Sequence, residues 1–347
     1  MDGKELERYV EDIESRLDEE QEERVLADWL TWAHHENAEG PFRAAPRRPM
    51  PSKLTWPHVN INDAIADDTL SVYRELEALN RALASGSPFI LRVRGNYGVG
   101  NVATSFGCPL FVMPRETDTL PNVKALGEEK TLALIGQPLP DLEAGNFAAV
   151  MRFAKNFGAI RAKYPKIRRF VRVEQPDLQG PLDNLELIMG SSPLFYAMYD
   201  DPDSVHALLD MIAKAMERFM NNWLATFPGN ASLASYFYHV EEGMLCIRDD
   251  SAMNLSPEMY AEFAAPYDGY LLEKFGGIVH FCGRGDHYVD RLTALKGLKA
   301  VNMSQPHLND MEKMFAYTID RGLHLGITAP ETEITGHDVR NLVWLPY

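Results

Sequence analysis

Residues 244–282 read MLCIRDDSAMNLSPEMYAEFAAPYDGYLLEKFGGIVHFC: a short apolar run, a helical stretch, and a second short apolar run. Met244–Arg248 and Ile278–Cys282 are too short for helices and almost continuously apolar, the pattern of strands covered on both faces of a parallel sheet. Between them, Ser256-Pro257-Glu258 sets a capping serine and a first-position proline at the head of a helix. Strand, helix, strand in that order implies a parallel pair, because a parallel connection must cross back over the sheet.

The same alternation runs outward in both directions. Upstream lie Pro88–Arg94, Pro109–Met113, Arg169–Glu174 and the less regular Ser232–His239 run; downstream lie Ala300–Met303 and Leu323–Ile327. Asp201-Pro202 opens a long helix whose apolar face runs through Val205, Leu208, Leu209, Ile212, Met216, Phe219, Met220 and Trp223. About eight strands alternating with helices in a chain of this length predict a (β/α)8 TIM barrel, with a doubly wound sheet as the alternative.

Ahead of this region the chain is organised differently. Leu6, Val10, Ile13 and Leu17 recur at helical spacing, giving either an arm packed on its own domain or a short coiled-coil arm of a homodimer. Gly40–Pro51 is a proline-rich, basic connector that cannot be helical. The expected division is a helical arm and connector over residues 1–60 and a barrel over 61–347.

Composition excludes several classes. The 347 residues are 46% hydrophobic and 24% charged, which is globular rather than disordered. A formal charge of −16 repels phosphate backbones, so nucleic acid is not an expected partner. No apolar run approaches a membrane span, the N-terminus lacks a secretory apolar region, and three cysteines make no disulfide framework. A cytoplasmic location is expected.

The chemistry concentrates in His280-Phe-Cys-Gly-Arg-Gly-Asp-His287. Residues two apart on a strand face the same side, so His280 and Cys282 point together at the C-terminal end of their strand, where barrel enzymes carry their active sites. An imidazole and a thiol converging there supply part of a catalytic zinc site, which keeps one position open. Asp249 and Asp250 at the end of the preceding strand form a candidate acid/base pair. Arg92 and Arg94 share a strand face suited to a carboxylate, and Asn96 and Tyr97 follow on a glycine-flanked turn. A rival motif, Gly98-Val-Gly-Asn-Val-Ala103, matches a dinucleotide fingerprint, but any helix after it must end by Pro109, too soon for that role.

Arg248-Asp-Asp-Ser-Ala-Met-Asn-Leu-Ser-Pro-Glu-Met-Tyr260, Pro266 and His280-Phe-Cys-Gly283 together resemble the uroporphyrinogen decarboxylase superfamily. Gly180-Pro-Leu182, Asp200–Leu209, Ala103–Gly107 and Leu120-Pro121 add to the likeness, which covers roughly residues 60–330. The resemblance implies a (β/α)8 barrel and one of two activities. The decarboxylase branch needs an acidic residue after the first strand and an arginine-rich Arg-Gln-Ala-Gly-Arg segment; here no acidic residue falls between Leu79 and Arg115, and that segment is absent. The other branch implies a zinc-dependent methyltransferase that moves a methyl group from a corrinoid or similar donor to a thiol, with a corrinoid protein as possible partner. His280 and Cys282 match its first two zinc ligands. Its third is normally a cysteine at the last strand, where this chain reads Gly326-Ile-Thr-Ala-Pro330. His307 is the expected substitute, ahead of Cys246, His287 and Asp250. Asp249, Asp250 and His287 are then expected in catalysis, and Arg92, Arg94, Asn96, Tyr97, Arg284 and Gln305 around a small-molecule substrate. The alternatives are a metal-free decarboxylase of a polycarboxylate and a non-catalytic tetrapyrrole or corrinoid binder.

Overall fold

The computed structural model describes residues 1–227, 233–236, 239–328 and 334–345. Helix α1 (Gly3–Arg16) starts where the Asp2 carboxylate accepts from the backbone N–H groups of Lys4 and Glu5, both at 2.9 Å. Its apolar face, with Tyr9, Val10, Ile13 and the following Leu17, is buried in the main core rather than left for a partner. Helix α2 (Glu19–Ala33), capped by Asp18, follows. The connector then runs across the molecule: Phe42 bridges in parallel to Val343, and buried Arg47 grips both carboxylate oxygens of Glu22 at 2.7 Å each.

After α3 (Ile61–Ala66), helix α4 (Asp68–Ser85) ends at Gly86, whose φ of +73° gives the left-handed cap that suits glycine. Strand β1 (Arg92–Arg94) leads into α5 (Asn101–Ser105), which is only five residues long, as expected for a turn that does not cradle a dinucleotide. Leu110–Phe111 (β2) and Asn122–Val123 (β3) form a small antiparallel arm. The chain continues through α6 (Glu128–Leu132), α7 (Gly145–Lys163), α8 (Pro165–Phe170), β4 (Arg172–Glu174), α9 (Pro181–Met189), α10 (Ser191–Asp200) and α11 (Pro202–Thr226). A hairpin, β5 (Leu233–Tyr236) and β6 (His239–Glu242), precedes β7 (Leu245–Arg248), α12 (Pro257–Phe263), α13 (Ala265–Phe275), β8 (Gly277–Phe281), α14 (Val289–Leu292), β9 (Leu298–Met303), α15 (Met311–Tyr317), β10 (His324–Ile327) and β11 (Leu342–Trp344).

The result is a mixed α/β chain. Strands β11-β10-β9-β8-β7 form a five-stranded parallel sheet, and β1 and β4 a separate parallel pair. Among the described residues these ladders do not join into one closed ring. Two expected strands depart from the barrel pattern. The Pro109–Met113 run forms the exposed arm instead, with Leu110, Phe111 and Val112 each about two-fifths exposed, because Pro109 and Pro114 bracket it and no helix covers it. The Ser232–His239 run instead supplies β5 and the first residue of β6 in an antiparallel hairpin; Ser232, Phe237 and Tyr238 lie outside the described residues. Strand β11, three residues long, had no readable signal.

The register decides what faces what. Arg248, His280, Asn302 and Gly326 pair in one row across β7–β10, and Cys246, Ile278, Ala300 and His324 in the row beneath. Alternate residues Ile247, Val279, Phe281, Val301 and Leu325 point the other way into the helix-covered core. Tyr236 of the hairpin packs with Cys246, Ile278 and Ala300, so β5–β6 covers the N-terminal half of the sheet's other face. The C-terminal half is left to polar side chains. No helix among the described residues is long and apolar enough to cross a membrane.

Candidate metal centre

At the C-terminal ends of β7 and β8, the Asp250 carboxylate, the His280 imidazole and the Cys282 thiol bring one ligand atom each within 4.8 Å of one another. Cys282 Sγ lies 3.5 Å from His280 Nε2, and Nε2 lies 4.0 Å from Asp250 Oδ1. Zinc–ligand bonds of about 2.0–2.3 Å at tetrahedral angles require roughly 3.6 Å between sulfur and nitrogen and 3.4 Å between nitrogen and oxygen. The first distance already matches; the second closes with a small swing of Asp250, whose side chain is 44% exposed.

The imidazole is aimed by its neighbours. His280 is 2% exposed, and its Nδ1 sits 2.5 Å from Asn302 Oδ1. Asn302 donates its own Nδ2 to Gly326 O at 3.0 Å, which fixes the amide with its oxygen toward the ring. Nδ1 therefore carries the proton and Nε2 presents its lone pair to Cys282 and Asp250. Burial pushes the His280 pKa down to about 4, so the ring is neutral near neutrality. Burial, reinforced by the Asp250 charge, pushes the Cys282 thiol up to about 11. An unassisted Cys282 stays protonated, whereas a cation at this point would favour the thiolate.

Asp250 is positioned from behind. Its N–H and that of Ser251 are both accepted by the Asp183 carboxylate, at 2.9 and 2.8 Å. Asp250 Oδ1 in turn accepts from the Cys282 N–H at 2.6 Å, tying the two ligand-bearing turns together. At Gly283 φ is +79°, and a Cβ would meet Met253 Sδ at 2.6 Å; only glycine turns the chain this sharply after Cys282.

The remaining candidates divide. His307, the expected third ligand, sits exposed on a single 3-10 turn and lies outside the cluster found among the described residues. Cys246 lies one pleat below in a dry layer with Tyr236, Ile278 and Ala300, where burial drives its thiol pKa up. The third group of the cluster is Asp250 instead. Asp249 and Asp250 diverge where the chain leaves β7 and enters a 3-10 turn, Asp250 joining the cluster and Asp249 turning into the interior. Asp249 is buried on the helix side facing Asp268, and burial raises its pKa, with Asp268 adding to the effect. The Asp268 carboxyl is pushed up to about 7 by burial, so the two are accommodated by keeping a proton.

His287 faces away from the cluster and bonds Leu255 O at 2.9 Å. Gln305 is occupied in the same way, its side-chain oxygen accepting from the Gly283 N–H, and Asn309 holds the rest of that turn. Arg284 is largely exposed and paired with Asp286 at 2.7 Å. Tyr97 is buried in the main core beside Ser71, not in a polar pocket. Arg92 pairs with Glu174 at 2.6 Å, while Arg94 and Asn96 line a cleft beside α4. Sequence reasoning missed Asp183 and the anchoring role of Asn302; the signal for Asn302 lies in cross-strand register and that for Asp183 in the packing of α9 against the turn after β7, neither in local spacing.

No family model matches the chain, and no curated protein matches it. Among solved structures it is similar to a methyltransferase from Methanosarcina mazei, with a TM-score of 0.60 and 15% sequence identity over 90% of this chain and 86% of that one. At that identity the likeness is one of fold.

Proposed function

We propose that this chain is a metal-dependent methyltransferase, with zinc held by Asp250, His280 and Cys282 and a small thiol as methyl acceptor. The observation that carries the reading is the ligand triad itself, with a nitrogen, a sulfur and an oxygen donor converging at strand ends and one side open to solvent. The fold similarity to a solved methyltransferase supports it, as does the chain's resemblance to a superfamily with zinc-using members. The parallel strands and their helices are read as a barrel of the (β/α)8 type whose ladders are partly interrupted.

When bound, the zinc supplies the positive charge that lets a thiol ionise near neutral pH. The protein's own part is positional. Asn302 holds the His280 tautomer, Asp183 holds the Asp250 turn, and Gln305 and Asn309 hold the Cys282–Asp286 turn. In the proposed reaction the acceptor sulfur loses its proton to solvent and forms a bond to the methyl carbon; the bond from that carbon to the donor breaks, its electron pair leaving with the donor. A corrinoid is the proposed donor. The test is loss of the methylcobalamin absorption spectrum on addition of a small thiol such as 2-mercaptoethanol to zinc-loaded protein. Turnover that disappears in His280→Ala and Cys282→Ser supports the reading. Absence of turnover with methylcobalamin and with a sulfonium donor, in protein shown to hold zinc, overturns it.

A further inference from the structure

We infer that the cleft between α4 and the edge of β1 is a second ligand site, which binds a small monocarboxylate through Arg94 and Asn96. The cleft encloses about 590 Å³, within the usual range for small-molecule sites. Its lining is mixed: Ala78, Ala82 and Phe89 stand beside the polar Glu75, Ser85 and Ser87. None of its lining residues belongs to the metal triad, so the inference stands apart from the methyl-transfer reading.

Its polar end is cationic and incomplete. Other arginines nearby are matched: Arg92 with Glu174 at 2.6 Å, Arg81 with Glu77 at 2.7 Å, Arg74 with Asp118 at 3.5 Å, and Arg248 with Asp177. Arg94 is half-buried, yet among the described residues its guanidinium has one acceptor, the neutral Asn96 Oδ1 at 3.3 Å, and no carboxylate. Its backbone N–H, not its side chain, meets Glu75 Oε2 at 2.9 Å. Burial and repulsion from Arg92 both work against its charge. A partly desolvated cation lacking an ion partner calls for an anion.

The surroundings select which one. The planar guanidinium matches a carboxylate edge to edge. Asn96 gives its oxygen to Arg94, and its Nδ2 has no acceptor among the described residues, which leaves a further donor at the cleft. Glu75 and Glu174 stand close enough to act on Arg94, which disfavours a second negative charge on the ligand.

Isothermal titration of the full-length, zinc-loaded protein with hexanoate tests this, with inorganic phosphate and hexanol as comparisons. Saturable hexanoate binding is expected, weakened about tenfold or more in Arg94→Gln, where a charge-assisted pair is lost. Arg94→Lys should recover part of the affinity, Asn96→Ala should weaken it without altering far-ultraviolet circular dichroism, and Cys282→Ser should leave it unchanged. Failure of hexanoate to bind the wild-type chain overturns the inference, as does equal binding by correctly folded Arg94→Gln, or tighter binding of phosphate or hexanol. Zinc content measured in the same samples reports on the metal reading separately.

Discussion

At the scale of single residues, the centre depends on one amide. Asn302 touches no metal, yet it sets which nitrogen of His280 carries the proton. Asn302→Leu is therefore expected to lower zinc affinity by about 10–100-fold while leaving the thermal unfolding transition cooperative; an unchanged affinity in a competition titration would remove the orienting role. The protonation states give a second prediction. With Cys282 raised to about 11 and His280 lowered to about 4, zinc binding between pH 6 and 8 should displace the thiol proton but none from the imidazole. Affinity should then rise ~tenfold per pH unit across that range without a break near 6.5. A steeper slope below pH 6.5 would mean that His280 titrates like an exposed histidine. The His280–Cys282 pair was legible in the sequence because facing along a strand is a local property. Asp250 as the third member of the cluster was ranked only behind His307, Cys246 and His287, since placing it first required knowing that the turn after β7 folds over the end of β8, which Asp183 enforces from α9.

At the scale of elements, the sequence spoke clearly where caps and apolar periodicity agree. Ser256-Pro257 and Asp201-Pro202 mark helix starts that the structure keeps. It misled at Pro109–Met113, where an apolar run without a covering helix became an exposed arm, and at Ser232–His239, where pairing is antiparallel. Pro109, Pro114 and the irregular pattern of Ser232–His239 were the local hints; what covers a run is a long-range fact. The connector shows the converse. Its arginines suggested a basic surface segment, yet Arg47 and Glu22 are buried together, their side chains 2% and 4% exposed. Removing one partner strands the other charge, so Arg47→Ala should destabilise the chain by about 3–5 kcal/mol in urea unfolding, and replacing both by apolar residues of similar volume should cost less. A loss under about 1 kcal/mol for Arg47→Ala would show that the pair is solvated.

At the scale of the molecule, the N-terminal helix belongs to the main core. Val10, Ile13 and Leu17 share it with β1, β4 and α4 residues, and Trp32 Nε1 reaches Glu241 of the hairpin at 2.7 Å. A chain lacking residues 1–60 is expected to lose its cooperative thermal transition and near-ultraviolet circular dichroism; retention of both would show that the remainder folds alone. The alternating strands and helices, and the placement of the site at strand ends, were readable from 244–282 and its repeats. The interrupted ladders were not, because the short β1, β4 and β11 carry little pattern of their own.

The central claim is a metal held by one sulfur, one imidazole nitrogen and one carboxylate oxygen. Zinc-edge X-ray absorption on untagged protein equilibrated with zinc measures it directly. One zinc per chain is predicted, with a single sulfur at about 2.3 Å and light-atom ligands near 2.0–2.1 Å, and with the sulfur contribution lost in Cys282→Ser. A substoichiometric ion, or a ligand shell without sulfur in the wild-type chain, would contradict the account.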